Sequence, residues 1–94
     1  MYSPLPPYIK LGRSPLHGIG LYAKEPIISD TDLGMSHIEV NGVLIRTPLG
    51  GFYNHSEIPN IQRIQVSPIQ WNLFTIRNIE EGEELVATYT LYKP

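Results

Sequence analysis

Gly51-Phe52-Tyr53-Asn54-His55-Ser56-Glu57-Ile58-Pro59-Asn60 decides how the rest of the chain is read. Asn54, His55 and Ser56 are consecutive side chains that can each donate and accept hydrogen bonds. Gly50 and Gly51 open the segment, and Pro59 and Asn60 close it. A short rigid loop with such groups is what a scaffold offers a binding site. A solvated surface turn would show the same residue types, so the residues alone leave both readings open.

Outward from this stretch the pattern is that of strands. Ile61 to Val66 alternates apolar and polar residues until Ser67-Pro68. Gln70 to Asn78 alternates again, with Trp71, Leu73 and Thr75 on one face and Asn72, Phe74 and Ile76 on the other. Glu80-Glu81-Gly82-Glu83 is an acidic turn, and Leu85 to Tyr92 is a final strand rich in β-branched and aromatic residues. In the other direction, Ile38-Glu39-Val40 and Val43-Leu44-Ile45 flank Asn41-Gly42. That pair supplies the two positive-φ positions of a type I′ hairpin. Ile27 to Leu33 reads as loop. Leu21 to Lys24 and Tyr8 to Leu11 read as strands, with a turn over Gly12 to Pro15, and residues 1–7 form a proline-rich extended arm. Thr47 to Asn60 is irregular. Pro and Gly interrupt every window that could carry a helical period. The expectation is a mainly β fold of many short strands, with little helix and long ordered loops.

Composition narrows the function. A chain of 94 residues with one apolar pattern throughout reads as a single domain over residues 1–94. Such a chain buries only about 60–65% of its unfolded surface. The expectations are a thin core that leans on Trp71, the two Phe and the six Tyr, and a homodimer that adds burial. Cysteine is absent, so thiolate metal sites and disulfides are not available, in keeping with an intracellular, soluble protein. A net charge of −2 argues against direct nucleic-acid binding. The N-terminus lacks the basic and apolar regions of a signal peptide, and no apolar run reaches membrane-spanning length.

Several chemistries fit poorly. His17, His37 and His55 match no common metal-ligand spacing, so no metal is expected. Adjacent His55 and Ser56 cannot easily aim at each other as a base and nucleophile, and no strand–elbow–helix pattern surrounds them. Gly18-Ile19-Gly20 lets a ligand approach the backbone, but no helix or third glycine follows to make a dinucleotide fingerprint.

Three segments together resemble one family. Gly18-Ile19-Gly20-Leu21-Tyr22-Ala23 is similar to a GxG motif that enters an apolar strand. Gly51 to Asn60 contains FxNHSxxPN, and Ile79-Glu80-Glu81-Gly82-Glu83-Glu84-Leu85-Val86-Ala87-Thr88-Tyr89 follows I-xx-GEEL-xxx-Tyr. In this order they resemble the SET-domain family of protein-lysine methyltransferases, and in size its minimal viral and bacterial members. The resemblance covers Tyr8 to the end. It implies a β-clip fold of short curved sheets with a C-terminal pseudoknot. It implies S-adenosylmethionine as methyl donor and a lysine side chain of a protein or peptide as acceptor. Separately, Asp30, Asp32, Glu39 and Glu57 lie in segments that could rim a substrate groove, which would suit a basic peptide, although the same charges could merely be solvated. A viral member would work in host cytoplasm. Gly18, Ile19 and Gly20 would meet the methionine part of the donor through the backbone. Asn54 and His55 would hold its amino group and adenine, largely through the main chain. Tyr89 would be the catalytic tyrosine. The channel wall and adenine cover, which a C-terminal zinc-binding tail supplies in many members, would come here from the short C-terminus, with Tyr92 as the candidate against a simple packing role, or from another subunit.

The chain also departs from the family pattern. No tyrosine occurs between Lys24 and Arg46, where a Tyr-x-Gly element usually lines the lysine channel. Tyr2, Tyr8 and Tyr53 are the candidates to replace it. The substrate-binding insert shrinks to little more than the Asn41-Gly42 hairpin. Glu57 stands where many members have cysteine, and the arginine often found before the central motif is missing. These losses leave an alternative: a SET-fold module that binds the donor or a protein partner without transferring a methyl group.

Overall fold

Strand-forming runs punctuated by turns fold into two four-stranded sheets in the computed structural model, which describes residues 5–88. The elements in chain order are β1 (Ile9–Arg13), β2 (Ile19–Ala23), β3 (Asp32–Val40), β4 (Val43–Arg46), α1 (Pro48–Gly51), β5 (Asn54–His55), β6 (Ile61–Ser67), β7 (Gln70–Thr75) and β8 (Glu84–Ala87). One sheet has the order β1-β2-β8-β5 and the other β4-β3-β7-β6. In the first, β5 runs parallel to β8, with Asn54 beside Val86 and His55 beside Ala87. The two strands are therefore joined by a crossover that contains β6 and β7. The mainly β character with little helix is as expected: among the described residues the only helix is the single turn of α1.

The β3–β4 hairpin forms at Asn41-Gly42, whose φ angles of 50° and 79° are the positive pair a type I′ turn requires. Elsewhere the boundaries differ from the sequence expectation, for local reasons. β1 continues through Gly12 and Arg13, which pair with Gly20 and Ile19, so the expected turn over Gly12 to Pro15 begins only at Ser14. Gly12 is there because the Tyr22 ring lies over it: an added Cβ would meet ring atoms at 3.0 and 3.1 Å. β3 begins at Asp32, inside the expected loop over Ile27 to Leu33. Its pairing with β7 slips between Asp32 and Gly34 and again between Met35 and His37. These irregularities break the two-residue period, and the Asp32 carboxylate accepts from the Gly34 amide at 2.9 Å inside the first. β7 stops at Thr75, three residues before the expected end at Asn78. β8 spans Glu84 to Ala87, and the rest of the expected last strand lies outside the described residues.

α1 interrupts the stretch expected to be irregular. Thr47 caps it, its hydroxyl accepting from the Gly50 amide at 3.2 Å, and Pro48 occupies the first turn. The same hydroxyl donates to the Met35 carbonyl at 2.7 Å, which fixes the turn on the irregular part of β3.

The core between the sheets is aliphatic: Ile9, Leu21, Ala23, Ile27, Leu33, Leu49, Ile61, Leu73, Ile79, Leu85 and Ala87. Among the described residues this corrects the expectation that aromatic residues supply much of the packing; Tyr2, Tyr89 and Tyr92 lie outside them. Trp71, Phe74, Tyr8, Tyr22 and Tyr53 are only half-buried, and Phe52 is exposed. In a thin core, compact branched side chains fill the space between two short sheets, and the larger rings spread over its margins.

His37 is the buried titratable group of this core margin. Its Nδ1 lies 2.9 Å from the Ser36 hydroxyl. Burial, with the Arg63 and Arg46 guanidinium groups adding to it, lowers its pKa to about 4. The unfolded chain binds a proton at this histidine below about pH 6.5, whereas the folded chain binds it only below about 4. His37 therefore contributes its full stability above pH 6.5 and loses it as pH falls toward 4, by roughly 3 kcal/mol in all. Denaturant midpoints of the wild type and His37→Gln should converge across that window. A constant gap between them from pH 7 to pH 4 would contradict the buried neutral imidazole.

Candidate functional site

At one end of the first sheet, β1 and β2 are joined by a loop of residues 14–18. The Ser14 amide donates to the Gly18 carbonyl at 2.8 Å, and the Ser14 hydroxyl accepts from the Leu16 amide at 3.0 Å. Gly18 makes the return to β2 at φ 47°, a conformation that favours glycine. An added Cβ on Gly18 would meet no atom within 4 Å, so its backbone faces open space. Leu16, His17, Gly18 and Ile19 are all exposed.

The central motif reaches this loop through Asn54. Asn54 is buried on β5, and its side-chain amide donates toward the carbonyls of His17 and Ile19, both at 3.3 Å, and to Glu84 Oε2 at 2.8 Å. Glu84 is the first residue of β8. Its two carboxylate oxygens also accept from the Ser14 hydroxyl at 2.9 and 2.8 Å. The Tyr22 hydroxyl lies 3.4 Å from Oε1 while donating to the Arg13 carbonyl at 2.6 Å. Partial desolvation and the nearby Glu84 charge raise the pKa of this phenol. Gly20 makes room for the cluster: an added Cβ would collide with Glu84 Oε2 and press on the Asn54 amide nitrogen. The second glycine of the GxG motif is therefore required by the protein's own side chains.

Residues 54–60 then wrap around β8. The Ser56 amide donates to the Ala87 carbonyl at 3.0 Å, and the Thr88 hydroxyl donates to the Ser56 carbonyl at 2.8 Å. Asn60 is 1% exposed and works as a substitute strand. Its Oδ1 accepts from the Val86 amide and its Nδ2 donates to the Glu84 carbonyl, both at 2.8 Å, while its own amide donates to the Val86 carbonyl at 3.0 Å.

Of the residues singled out from sequence, Gly18, Ile19, Gly20 and Asn54 come together here. His55 follows Asn54 on the same strand with its side chain exposed. Tyr89 and Tyr92 lie outside the described residues. Among the candidates for the missing channel tyrosine, Tyr8 and Tyr53 pack against the aliphatic core, and Tyr2 is outside the described residues. Burial, then the Asp32 and Glu25 carboxylates, raises the Tyr8 pKa. Ser14 and Glu84 were missed as site residues. Glu84 sits in the GEEL motif, but nothing in the sequence shows which of its glutamates turns inward. Among the described residues, no three His, Cys, Asp or Glu side chains gather as a metal site. No helix among them is long and apolar enough to cross a membrane.

Comparison with solved structures finds the same fold. A Plasmodium falciparum protein described as a histone methyltransferase superimposes with a TM-score of 0.69 at 22% identity, over 87% of this chain and 92% of that one. The Chaetomium thermophilum Polycomb Repressive Complex 2 gives a TM-score of 0.74 at 19% identity, over 92% of this chain and 16% of the matched chain. A humanized mutant of that complex, bound to an inhibitor, gives 0.71 at 20% identity over 92% of this chain and 15% of its own. At these identities the likeness is one of fold. A search of curated proteins finds no match. The SET domain family profile matches residues 36–90, more than half of the sequence. The chain belongs to the SET domain family.

Proposed function

We propose that this chain is a protein-lysine N-methyltransferase that takes its methyl group from S-adenosylmethionine. The observation that supports this most is the junction at Asn54, where one buried amide ties the GxG loop, the NHS segment and the GEEL strand together. The residues present fit such a donor. An open stretch of backbone at Gly18 and Ile19 lies beside a fixed polar strand, as a ligand held through main-chain groups requires.

When bound, S-adenosylmethionine supplies a methyl carbon made electrophilic by its sulfonium. The chain's own residues act by position. Gly18, Ile19 and Gly20 offer backbone to the methionine end. Asn54 and His55 hold the amino group and adenine, largely through the main chain. Tyr92 covers the adenine, and Tyr89 directs its hydroxyl at the reacting centre. This reading keeps the pseudoknot of the central motif and the C-terminal segment that the family resemblance implies. Attack by an amine needs alignment and a neutral lysine. Holding the two reactants in line supplies much of the rate. An apolar, aromatic-walled channel lowers the lysine pKa by desolvation.

The acceptor in this reading is a lysine of a protein, and the solved structure of similar fold described as a histone methyltransferase is in keeping with a protein substrate. Asp30, Asp32, Glu39 and Glu57 are exposed and would suit a basic peptide. The test is incubation with isotope-labelled donor and a panel of basic proteins. Label is expected on lysine, and Tyr89→Phe should reduce its rate at least about tenfold, or ~1.4 kcal/mol of barrier. Donor that binds without any transfer would count against the enzyme. Full activity in Tyr89→Phe would remove that tyrosine from the mechanism.

A further inference from the structure

We propose that Glu84 is the positioning residue of the donor site: it fixes the GxG loop against the NHS strand without touching the donor. The inference rests on the methyltransferase reading above and adds to it a residue to which that reading gives no contact with the donor. The loop of residues 14–18 has little apolar burial to hold it, since Pro15, Leu16, His17 and Gly18 are all exposed. Two side-chain groups tether it to the rest of the protein beyond the β1–β2 ladder, the Ser14 hydroxyl and the Asn54 amide. Both end on the Glu84 carboxylate.

A carboxylate suits this junction because it only accepts, and its two oxygens can take several donors at once. Ser14 and Asn54 both present donors to it, and the Tyr22 hydroxyl, which donates to the Arg13 carbonyl, lies beside it. The groups that donate to it among the described residues, Ser14 and Asn54, are neutral. Charge-assisted hydrogen bonds of this kind are stronger than neutral ones. Gly20, by lacking a Cβ, is what admits the carboxylate to this place. The Asn54 amide then sets the directions of the His17 and Ile19 carbonyls, which flank the open backbone of Gly18.

Glu84→Gln keeps the size and removes the charge. With its oxygen in the place of Oε2 it still accepts from Ser14 and Asn54, but as the weaker, neutral kind of bond. Donor dissociation constants measured by calorimetry should rise about tenfold, the scale of charge assistance lost from those bonds. Turnover at saturating donor should change less than about twofold, because the reacting groups are untouched. Hydrogen exchange should quicken at the amides of residues 16–19 and stay unchanged at Leu21 and Leu73 in the core. Ser14→Ala tests the same tether from the loop side if Glu84→Gln does not fold. It should raise the dissociation constant in the same direction and add little when combined with Glu84→Gln.

Wild-type protein that binds no donor would sink the methyltransferase reading itself, and with it this role. Wild-type binding with unaltered donor affinity in both variants would overturn the positioning role alone. So would a general rise in exchange throughout the sheets, since that marks a residue that merely stabilises the fold.

Discussion

Asn60→Ala should lower the unfolding free energy by about 2 to 4 kcal/mol, because it leaves buried backbone groups of β8 without partners. The Val86 amide and the Glu84 carbonyl both bond to the Asn60 side chain at 2.8 Å, and Asn60 itself is 1% exposed. Water cannot easily replace those bonds at a position so enclosed. Domains of this kind are stable by only about 5 to 15 kcal/mol, so the loss is a large fraction of the whole. It should appear in urea as a lower midpoint with an unchanged slope. Asn60→Asp separates the two bonds. It retains an acceptor for the Val86 amide but sets a carboxylate oxygen against the Glu84 carbonyl, so it should be destabilised as well. A loss below about 1 kcal/mol in Asn60→Ala would show that β8 does not depend on this side chain.

Asn60 also shows where the sequence was legible and where it was not. Its place in the central motif pointed to a fixed loop beside β8. Its use as a substitute strand could not be read, because a side-chain amide that imitates a backbone leaves no periodic trace. The Asn41-Gly42 hairpin was legible for the opposite reason: two adjacent residues specify that turn locally. β3 was half-legible. Its last residues belong to the hairpin, but the irregular pairing near Gly34 and His37 shifts the pattern of buried residues by one place, which hides the strand's start. The candidate site divides in the same way. Gly18, Ile19, Gly20, Asn54 and His55 follow from motifs, whereas Ser14 and Glu84 matter through a contact between residues 70 positions apart. The burial of Leu49 and Gly50 in α1 likewise depends on a partner, β3, that the local sequence does not name.

Gly50→Ala and Gly51→Ala should move stability in opposite directions, although the two residues are neighbours in the same helical turn. A Cβ at Gly50 would collide with the carbonyl oxygen of Ser36, and that oxygen cannot swing aside. It already accepts from the Thr47 amide at 2.9 Å and has the Thr47 hydroxyl 3.2 Å away. α1 would have to lift from β3, loosening Leu49, which is 2% exposed, from the core. Overpacking of this kind against backbone costs about 3 kcal/mol. A Cβ at Gly51 meets nothing within 4 Å, and its φ lies outside the left-handed region. Alanine there restricts the unfolded chain and should add about 0.5 kcal/mol. Thermal unfolding of the two variants beside the wild type gives the comparison, and a Gly50→Ala protein as stable as Gly51→Ala would refute the close approach to β3. The consequence extends to the site, because Phe52 and Tyr53 are all that separates α1 from Asn54. If α1 lifts, the amide that reaches the His17 and Ile19 carbonyls moves with it. Gly50→Ala should therefore weaken donor binding even at temperatures where the variant remains folded, and Gly51→Ala should leave it as it is.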